Sequence, residues 1–418
     1  MGGKVTTSSS VGTNSSQSKA MLVPILLGGG VVTRAQLEKA QSIAAELNLS
    51  LEEALVQSGL ENNDSLVGVS VEALKQVEEN KISLDQAIRA VRLVGQKKVS
   101  LSQAIKSVEE IHEHTRPIVS TVNELTELML SAKMVSREDL IESVKKSQEA
   151  SMMIGQYLVL EQKVTAVGLI AALNGVFLIR DSGLDKEKAA QGLRYANQRD
   201  ITFEQALFEL GFFIHADSKT TRIDELFDMA GLLSQEEIAE CFEIQLFKKK
   251  NFGQILLERG IVSQEQLDSA ITLLASISNA TLKPFQAAEA LRQVCKDRED
   301  VYATIAIFQL LHKVDLNFRL GDMLAECGAC TRSELEAALE ETGDGSIKIG
   351  KALLKSKLLS EAVLFQALRV QTLLRFGYIS RDNAIDLIAC CIKKDCKLEL
   401  AFSEVGVRVP SRMQWTWV

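Results

Sequence analysis

The chain has 418 residues, of which 46% are hydrophobic and 24% are charged, a composition typical of folded globular proteins. Its four prolines and 5% aromatic residues favour helices over strands, and its net charge of −8 gives no general reason to expect a nucleic-acid polymer as a partner. No apolar run is long enough to span a membrane, no signal-peptide pattern is present, and the seven cysteines lack the spacing of a disulfide framework, so we predict a cytoplasmic location.

Residues 1–20 are rich in Ser, Thr and Gly and carry almost no apolar side chains, so this segment is predicted to be a disordered tail. From Met21 onward a pattern of 24 residues recurs. Each copy has an anchor residue, often glycine, and a Ser, Thr or Asp ten residues later that is suited to cap a helix. Each copy is therefore predicted to form two helices, of which the first carries the anchor and the second begins after the cap.

The copies are arranged in pairs, with anchors 29 residues apart within a pair and neighbouring pairs beginning 49 residues apart. The paired anchors are Thr126 and Gly155, Gly175 and Glu204, Asp224 and Gly253, Gly321 and Gly350, and Val370 and Glu399. Because repetition at a fixed period is typical of repeat architectures, we predict an all-α fold of tandem helix-loop-helix repeats. The gap of 20 residues between neighbouring pairs leaves no room for a loop, so one helix is expected to run from one pair into the next.

Capping boxes of the form Ser/Thr-x-x-Glu/Gln predict the helix starts independently of the apolar spacing. They occur at Thr33/Gln36, Ser50/Glu53, Ser83/Gln86, Ser100/Gln103, Thr202/Gln205, Ser234/Glu237, Ser263/Gln266 and Thr331/Glu334.

Two sections depart from the regular spacing of the repeats, and we predict domain boundaries there. Shorter, incomplete units fill residues 74–118, and a degenerate unit with Pro284 fills residues 275–318. The predicted segments are a disordered tail over 1–20, N-terminal helical repeats over 21–118, central repeat pairs over 119–274, an irregular helical connector over 275–318, C-terminal repeat pairs over 319–407, and a tail over 408–418.

The last segment holds both tryptophans of the chain, Trp415 and Trp417, in a stretch that alternates apolar and polar residues like a strand. These side chains either pack onto the last repeat or bind a partner, as a docking peptide or a self-association site.

The most regular pair of copies, from Arg319 to Gln371, is the candidate ligand site. Its repeated glycines, Gly321 and Gly350, would allow another helix or a flat ligand to approach the backbone closely. The candidate residues are Arg319, Leu320, Gly321, Lys348, Ile349, Gly350 and Gln371. In the alternative interpretation, the glycines only allow helices to pack closely and the basic residues are solvated.

This duplicated motif resembles the N-terminal domain of the assembly ATPases of type II secretion and type IV pili. In that family, two 24-residue motifs separated by five residues bind cyclic-di-GMP, so the resemblance implies this ligand for residues 319–371. Arg319 and Lys348 would then neutralise its two phosphates, and Gln371 would offer a donor and an acceptor. Arg222 and Gln245 match the ends of another copy and are a secondary candidate site.

The chain also departs from the family pattern. Thr342 replaces a Gln, Lys348 an Arg and Lys357 a Gly, and the ATPase part is missing. Carboxylates stand at several other anchors, where they would repel an anionic ligand; these are Glu52, Glu204, Asp224 and Glu399.

Other motifs are less specific. Residues 345–352 nearly match a phosphate-binding loop but lack its final hydroxyl and lie in a helical repeat. Cys327 and Cys330 form a CxxC motif in which Cys330 fills an apolar position of the repeat, so we interpret it as a small hydrophobic residue, with metal or redox work as the alternative. No nucleophile–base pair is visible, and we predict no catalytic residue, metal or cofactor.

These patterns predict a non-catalytic helical-repeat scaffold that mediates protein–protein assembly and, through the resemblance, is linked to a secretion or pilus-type system. The alternative is a receptor for cyclic-di-GMP at residues 319–371. The expected partners are proteins, with self-association as a further possibility, and neither a nucleic-acid polymer nor a transmembrane segment is expected.

Overall fold

The computed structural model describes residues 21–32, 34–47, 49–57, 64–112, 123–213, 220–311, 318–340 and 349–412. Throughout these ranges the regular elements are helices and no strand is present, which confirms the predicted all-α class. The predicted tail over 1–20, the candidate residue Lys348, and Trp415 and Trp417 lie outside the described residues.

The helices are numbered in chain order. The first spans residues 21–28 and is α1. It is followed by α2 (Arg34–Leu47), α3 (Leu51–Gln57), α4 (Asp64–Glu78), α5 (Leu84–Lys97), α6 (Leu101–His112), α7 (Glu124–Ser131), α8 (Arg137–Glu149), α9 (Ile154–Leu160), α10 (Ala166–Ser182), α11 (Lys186–Arg199) and α12 (Phe203–Glu209). The second half contains α13 (Ile223–Met229), α14 (Gln235–Lys248), α15 (Phe252–Glu258), α16 (Gln264–Ser278), α17 (Pro284–Asp297), α18 (Val301–Leu311), α19 (Leu320–Glu326), α20 (Arg332–Glu340), α21 (Ile349–Lys355), α22 (Glu361–Arg375), α23 (Arg381–Lys394) and α24 (Leu398–Val405).

Apart from Thr33, which lies outside the described residues, the predicted capping residues lie directly before these helices. At the start of α5, the Gln86 N–H donates to Ser83 Oγ at 3.2 Å, and the Ser83 N–H donates to Gln86 Oε1 at 2.7 Å. Each such cap stabilises a helix start by about 1 kcal/mol. The same reciprocal pair of bonds forms at Ser50/Glu53, Ser100/Gln103, Ser234/Glu237, Ser263/Gln266 and Thr331/Glu334.

The expectation of continuous helices between neighbouring pairs holds at two junctions and is wrong at a third. The helix α10 follows the cap Thr165 and contains the next anchor, Gly175, and α22 likewise contains Val370. Before Asp224, however, residues 220–222 are not helical, and α13 begins anew after Arg222, whose backbone is extended. An extended residue in this place ends any helix that approaches from the N-terminal side.

Contacts divide the chain into two compact units. Unit 1 comprises the described residues of Met1–Thr126, Val135–Leu169 and Ala239–Val262, and unit 2 comprises those of Glu127–Met134, Ile170–Ile238 and Ser263–Val418. Each unit combines segments that are distant in the sequence. The packing therefore crosses the boundaries at 118, 274 and 318 that the repeat pattern suggests, and the six sequence segments remain predictions.

The core of unit 1 is formed by apolar side chains of α1 to α6 with Tyr157 of α9. In α5, Leu84, Ala87, Ile88 and Val91 recur at the spacing of one helix face, and all four are buried. Burial of each large aliphatic side chain stabilises the fold by roughly 1.5–3 kcal/mol.

The core of unit 2 is formed by helices that include α10, α13, α19, α22 and α23. Their side chains Leu173, Phe227, Leu324, Leu374 and Ile388 are completely buried. Because α19 and α22 contribute to this core, the candidate ligand motif is part of the packed interior of unit 2.

Candidate functional site

The motif pair from Arg319 to Gln371 forms four helices of unit 2, α19 to α22. Gly321 is the second residue of α19, and Gly350 is the second residue of α21. The caps Thr331 and Ser360 precede α20 and α22, as the repeat predicts. The local structure of the pair therefore agrees with two helices in each copy.

The space beside both glycines is filled by apolar side chains. A Cβ atom at Gly321 would lie 3.1 Å from Leu335 Cδ2 and 3.1 Å from Ile349 Cδ1. At Gly350 it would lie 3.2 Å from Leu364 Cδ1. These distances are tighter than ordinary contacts, so what comes close to the backbone here is the neighbouring helices of the same unit. This geometry favours the interpretation that the glycines allow close helix packing.

Gln371 and Arg319 differ sharply in their surroundings. The Gln371 side chain is buried, and its Nε2 donates to the carbonyl oxygen of Phe318 at 3.0 Å, which ties α22 to the segment that enters α19. Arg319 is exposed and forms no ion pair with a described residue. Leu320 is buried and Ile349 half-buried, so Arg319 is the accessible polar side chain among the described candidates.

The secondary candidates lie in different units. Arg222 belongs to unit 2, where its Nε donates to Asp224 Oδ1 at 3.0 Å and its Nη2 donates to Asp224 Oδ2. Gln245 belongs to unit 1 and is half-buried on α14. In this copy of the motif, the anchor carboxylate of Asp224 already neutralises the arginine.

Two further anchor carboxylates share one buried arginine. Arg369 of α22 donates to Glu399 Oε1 of α24 and, at 3.5 Å, to Glu204 Oε2 of α12. Burial raises the pKa of the Glu204 carboxyl to about 8, although Arg369 opposes this shift. The repeat pattern indicates carboxylates at these anchors, but nothing in the sequence identifies Arg369 as their partner.

At a third kind of anchor, Gly155 of α9, the backbone N–H groups donate to a buried carboxylate. Glu243 Oε1 of α14 accepts the N–H of Gly155 at 2.7 Å, and Oε2 accepts the N–H of Gln156 at 3.1 Å. Burial raises the pKa of Glu243 to about 7. Anchors of the repeat thus contact apolar side chains, arginines or a carboxylate from elsewhere in the same unit.

One helix of the predicted irregular connector has an unexpected surface. The eleven residues of α18 include no charged side chain, and Tyr302, Ile307 and Leu310 are 69%, 50% and 88% exposed. No motif in the sequence predicts a function for this segment. The signal that could have indicated it is the uncharged run from Val301 to Leu311, which has large apolar residues on both its buried and its exposed side.

The two cysteines of the CxxC motif lie at the end of α19 and after it. Cys330 is buried, in agreement with an apolar position, and Cys327 Sγ contacts the carbonyl oxygen of Leu324 at 3.3 Å. Burial raises the pKa of both thiols, which reduces their nucleophilicity. The described ranges contain no group of three or more His, Cys, Asp or Glu side chains arranged to hold a metal ion.

No described helix combines the length and the apolar composition needed to cross a bilayer. Neither a family model nor the sequence of a curated protein matches this chain. The resemblance of residues 319–371 to the cyclic-di-GMP-binding domain therefore remains a prediction.

Proposed function

We propose that this chain is a non-catalytic helical scaffold that binds a helix of a partner protein through the exposed face of α18. The observation that carries the proposal is the combination of three exposed large apolar side chains, Tyr302, Ile307 and Leu310, with a complete lack of charge over the eleven residues of the helix. Contiguous apolar surface of this kind marks interaction sites in soluble proteins.

The opposite face of α18 is buried within unit 2. Thr304 and Phe308 are buried, and the helix packs against α16 and α17 of unit 2. A helix that is apolar on all faces is normally buried on all faces. Among the described residues, no element covers the side that carries Leu310, so this side is suited to a partner.

The spacing on the exposed face fits a partner helix. Tyr302, Ala306 and Leu310 follow one another at intervals of four residues, and Ala303 and Ile307 form a parallel row. Rows of this spacing interdigitate with those of a second helix, and the small alanines allow a close approach. The expected partner segment is an amphipathic helix with apolar residues at i, i+3 or i+4, and i+7.

Affinity capture from the source cells with a matched pair of variants tests the proposal. Leu310→Asp places a charge at the most exposed apolar position of α18, and Ile141→Asp does so at a position of α8 that is 64% exposed. We expect the partner to be lost with Leu310→Asp and retained with Ile141→Asp, with circular dichroism showing that both variants are folded. Equal capture by both variants and the wild type would contradict the role of α18.

Size-exclusion chromatography with light scattering distinguishes binding of a partner protein from self-association of this chain. A dimer of the purified wild type that Leu310→Asp dissociates would identify a second copy as the occupant and overturn the proposal of a different protein. Capture of secretion or pilus components would support the family resemblance.

A second candidate function is binding of cyclic-di-GMP at residues 319–371. The observation that favours it is the exposed Arg319, which has no ion pair with a described residue, whereas Arg222 in the other copy is paired with Asp224. Calorimetry at low ionic strength with the wild type and Arg319→Ala tests this function. A binding heat that Arg319→Ala removes would support it. The lack of any binding heat in the wild type would leave the scaffold as the one remaining proposed function.

A further inference from the structure

We infer that a cavity of unit 2, distinct from the α18 surface and from the predicted motif, binds a small organic phosphate with an aromatic body. The cavity has a volume of about 530 Å³, within the range of sites that hold small molecules. Its walls include three arginines and three aromatic side chains, which are Arg292, Arg381, Arg408, Phe285, Phe308 and Tyr378.

Two of the guanidinium groups are held at successive residues of one turn. Arg292 Nε donates to the carbonyl oxygen of Ala230 at 3.0 Å. Arg408 lies against the next residue, Gly231, where a Cβ atom would be only 2.9 Å from its Nε. Gly231 has a φ of +69°, so both its backbone conformation and its missing side chain allow this contact. The turn therefore gathers positive charge at one edge of the cavity.

Two of the three arginines of the cavity wall are paired with carboxylates, and the third is not. Arg292 is paired with Glu289 at 2.7 Å, and Asp382 is the other acidic residue of the wall. Arg408 is exposed and has neither an ion pair nor a hydrogen bond with any residue in the described ranges. Arg292 and Arg381 each have a glutamate partner, and the charge of Arg408 acts only electrostatically on the buried Asp228, so Arg408 is the arginine of the wall available to an anion.

The third arginine and the start of α23 provide further anion-binding groups. Arg381 Nη2 contacts Glu326 Oε1 at 2.5 Å, and its guanidinium lies 4.2 Å from the centre of the Phe318 ring, so the side chain is held in place. The cap Ser380 accepts the N–H of Asn383 at 3.1 Å. The N–H groups of Arg381 and Asp382 have no acceptor among the described residues, and N–H groups in this position suit a phosphate.

The aromatic side chains define the remainder of the ligand. The Tyr378 hydroxyl donates to Glu225 at 3.0 Å, which fixes the ring, while Phe285 and Phe308 contribute purely apolar surface. Aromatic walls of this kind favour a flat or apolar ligand body. A phosphate has three terminal oxygens that match the forked donors of a guanidinium group. The arginines and the aromatic side chains of the cavity together therefore favour a phosphate attached to an aromatic group.

Calorimetry on the full-length protein at low ionic strength tests the inference with three probes: adenosine 5′-monophosphate, adenosine and inorganic phosphate. We expect saturable binding of the monophosphate, weaker binding of inorganic phosphate and no binding of adenosine. Arg408→Ala should weaken the binding of the monophosphate by about tenfold or more, since it removes a charge-assisted contact. Arg137→Ala, at an exposed arginine of unit 1, should have no effect.

Arg408→Lys and Arg408→Glu sharpen the result. The lysine variant keeps the charge and should retain part of the affinity, and the glutamate variant should abolish binding. The inference is overturned if the monophosphate gives no saturable heat, if adenosine binds as well as the monophosphate, or if the Arg408 variants bind like the wild type. None of these outcomes depends on the partner of α18.

Discussion

Glu243 of α14 and Gly155 of α9 are 88 residues apart, yet the Glu243 carboxylate accepts the Gly155 N–H at 2.7 Å in the interior of unit 1. The residue before α9, Met153, forms no side-chain cap. A carboxylate from a distant helix thus satisfies N–H groups that a local cap satisfies in α5 and α16. Glycine suits this position because a Cβ atom here would lie only 2.8 Å from the carboxyl carbon of Glu243.

Gly155→Ala should lower the free energy of unfolding by about 2 kcal/mol, because a methyl group here meets a closely packed site. The added Cβ would lie 2.8 Å from Glu243 Cδ and 2.8 Å from Leu169 Cδ1. Gly68→Ala in α4, where a Cβ would meet no atom within 4 Å, is the matched control. The control should raise the stability by about 0.5–1 kcal/mol. Urea denaturation of both variants measures the difference, and equal effects would argue against the contact.

The stability contributed by Glu243 should depend on pH. Burial raises its pKa from the ordinary 4.5 to about 7, so the folded chain holds this proton more tightly than the unfolded chain. The contribution of Glu243 to stability is therefore complete below the pKa that it has in the unfolded chain. It is lost as the pH rises through the higher pKa that it has in the folded chain. Relative to Glu243→Gln, the wild type should lose on the order of 1–3 kcal/mol between about pH 4.5 and pH 8.

Denaturation of the wild type and Glu243→Gln at a series of pH values measures this loss. A difference in stability between the two proteins that stays constant over that range would mean that the carboxyl titrates alike in the folded and unfolded chains.

At about pH 9, where Glu204 is ionised, Arg369→Met should lower the stability in urea denaturation by about 3–5 kcal/mol, because it leaves the carboxylates of Glu204 and Glu399 without their shared cation. Glu204 is the more deeply buried of the two, and the loss of Arg369 removes the interaction that lowers its pKa. Adding Glu204→Gln and Glu399→Gln to Arg369→Met should recover most of the stability. If the triple variant is no more stable than the single one, packing of the arginine matters more than its charge.

Gln371→Ala should cost about 1–3 kcal/mol, since it leaves the buried carbonyl oxygen of Phe318 without a hydrogen bond. Gln309→Ala, at an exposed position of α18, is the control and should change the stability by less than about 0.5 kcal/mol. Thermal denaturation measures both. If Gln371→Ala leaves the stability unchanged, the case for a ligand-facing role of Gln371 becomes stronger.

Two substitutions on α18 should differ strongly in their effect on stability. Phe308→Ala removes a buried ring and should cost about 3 kcal/mol or more. Leu310→Ala removes a side chain that is 88% exposed and should change the stability by less than about 0.5 kcal/mol. Similar losses from both variants, measured by urea denaturation, would mean that Leu310 is covered in solution.

The sequence by itself determined the helical class and the residues at which many helices begin. Ser83 and Gln86, or Thr331 and Glu334, form their hydrogen bonds within a single turn, so the local chain contains all the atoms that decide the outcome.

Only the tertiary structure decided what lies against each anchor. Gly155 and Gly321 occupy equivalent positions of the pattern, yet one contacts a carboxylate and the other contacts leucine and isoleucine side chains. These partners come from other helices, and their identity depends on how helices pack around a shared core. The same reason applies to the arginines gathered at Ala230 and Gly231, because no spacing along the chain relates Arg292 to Arg408.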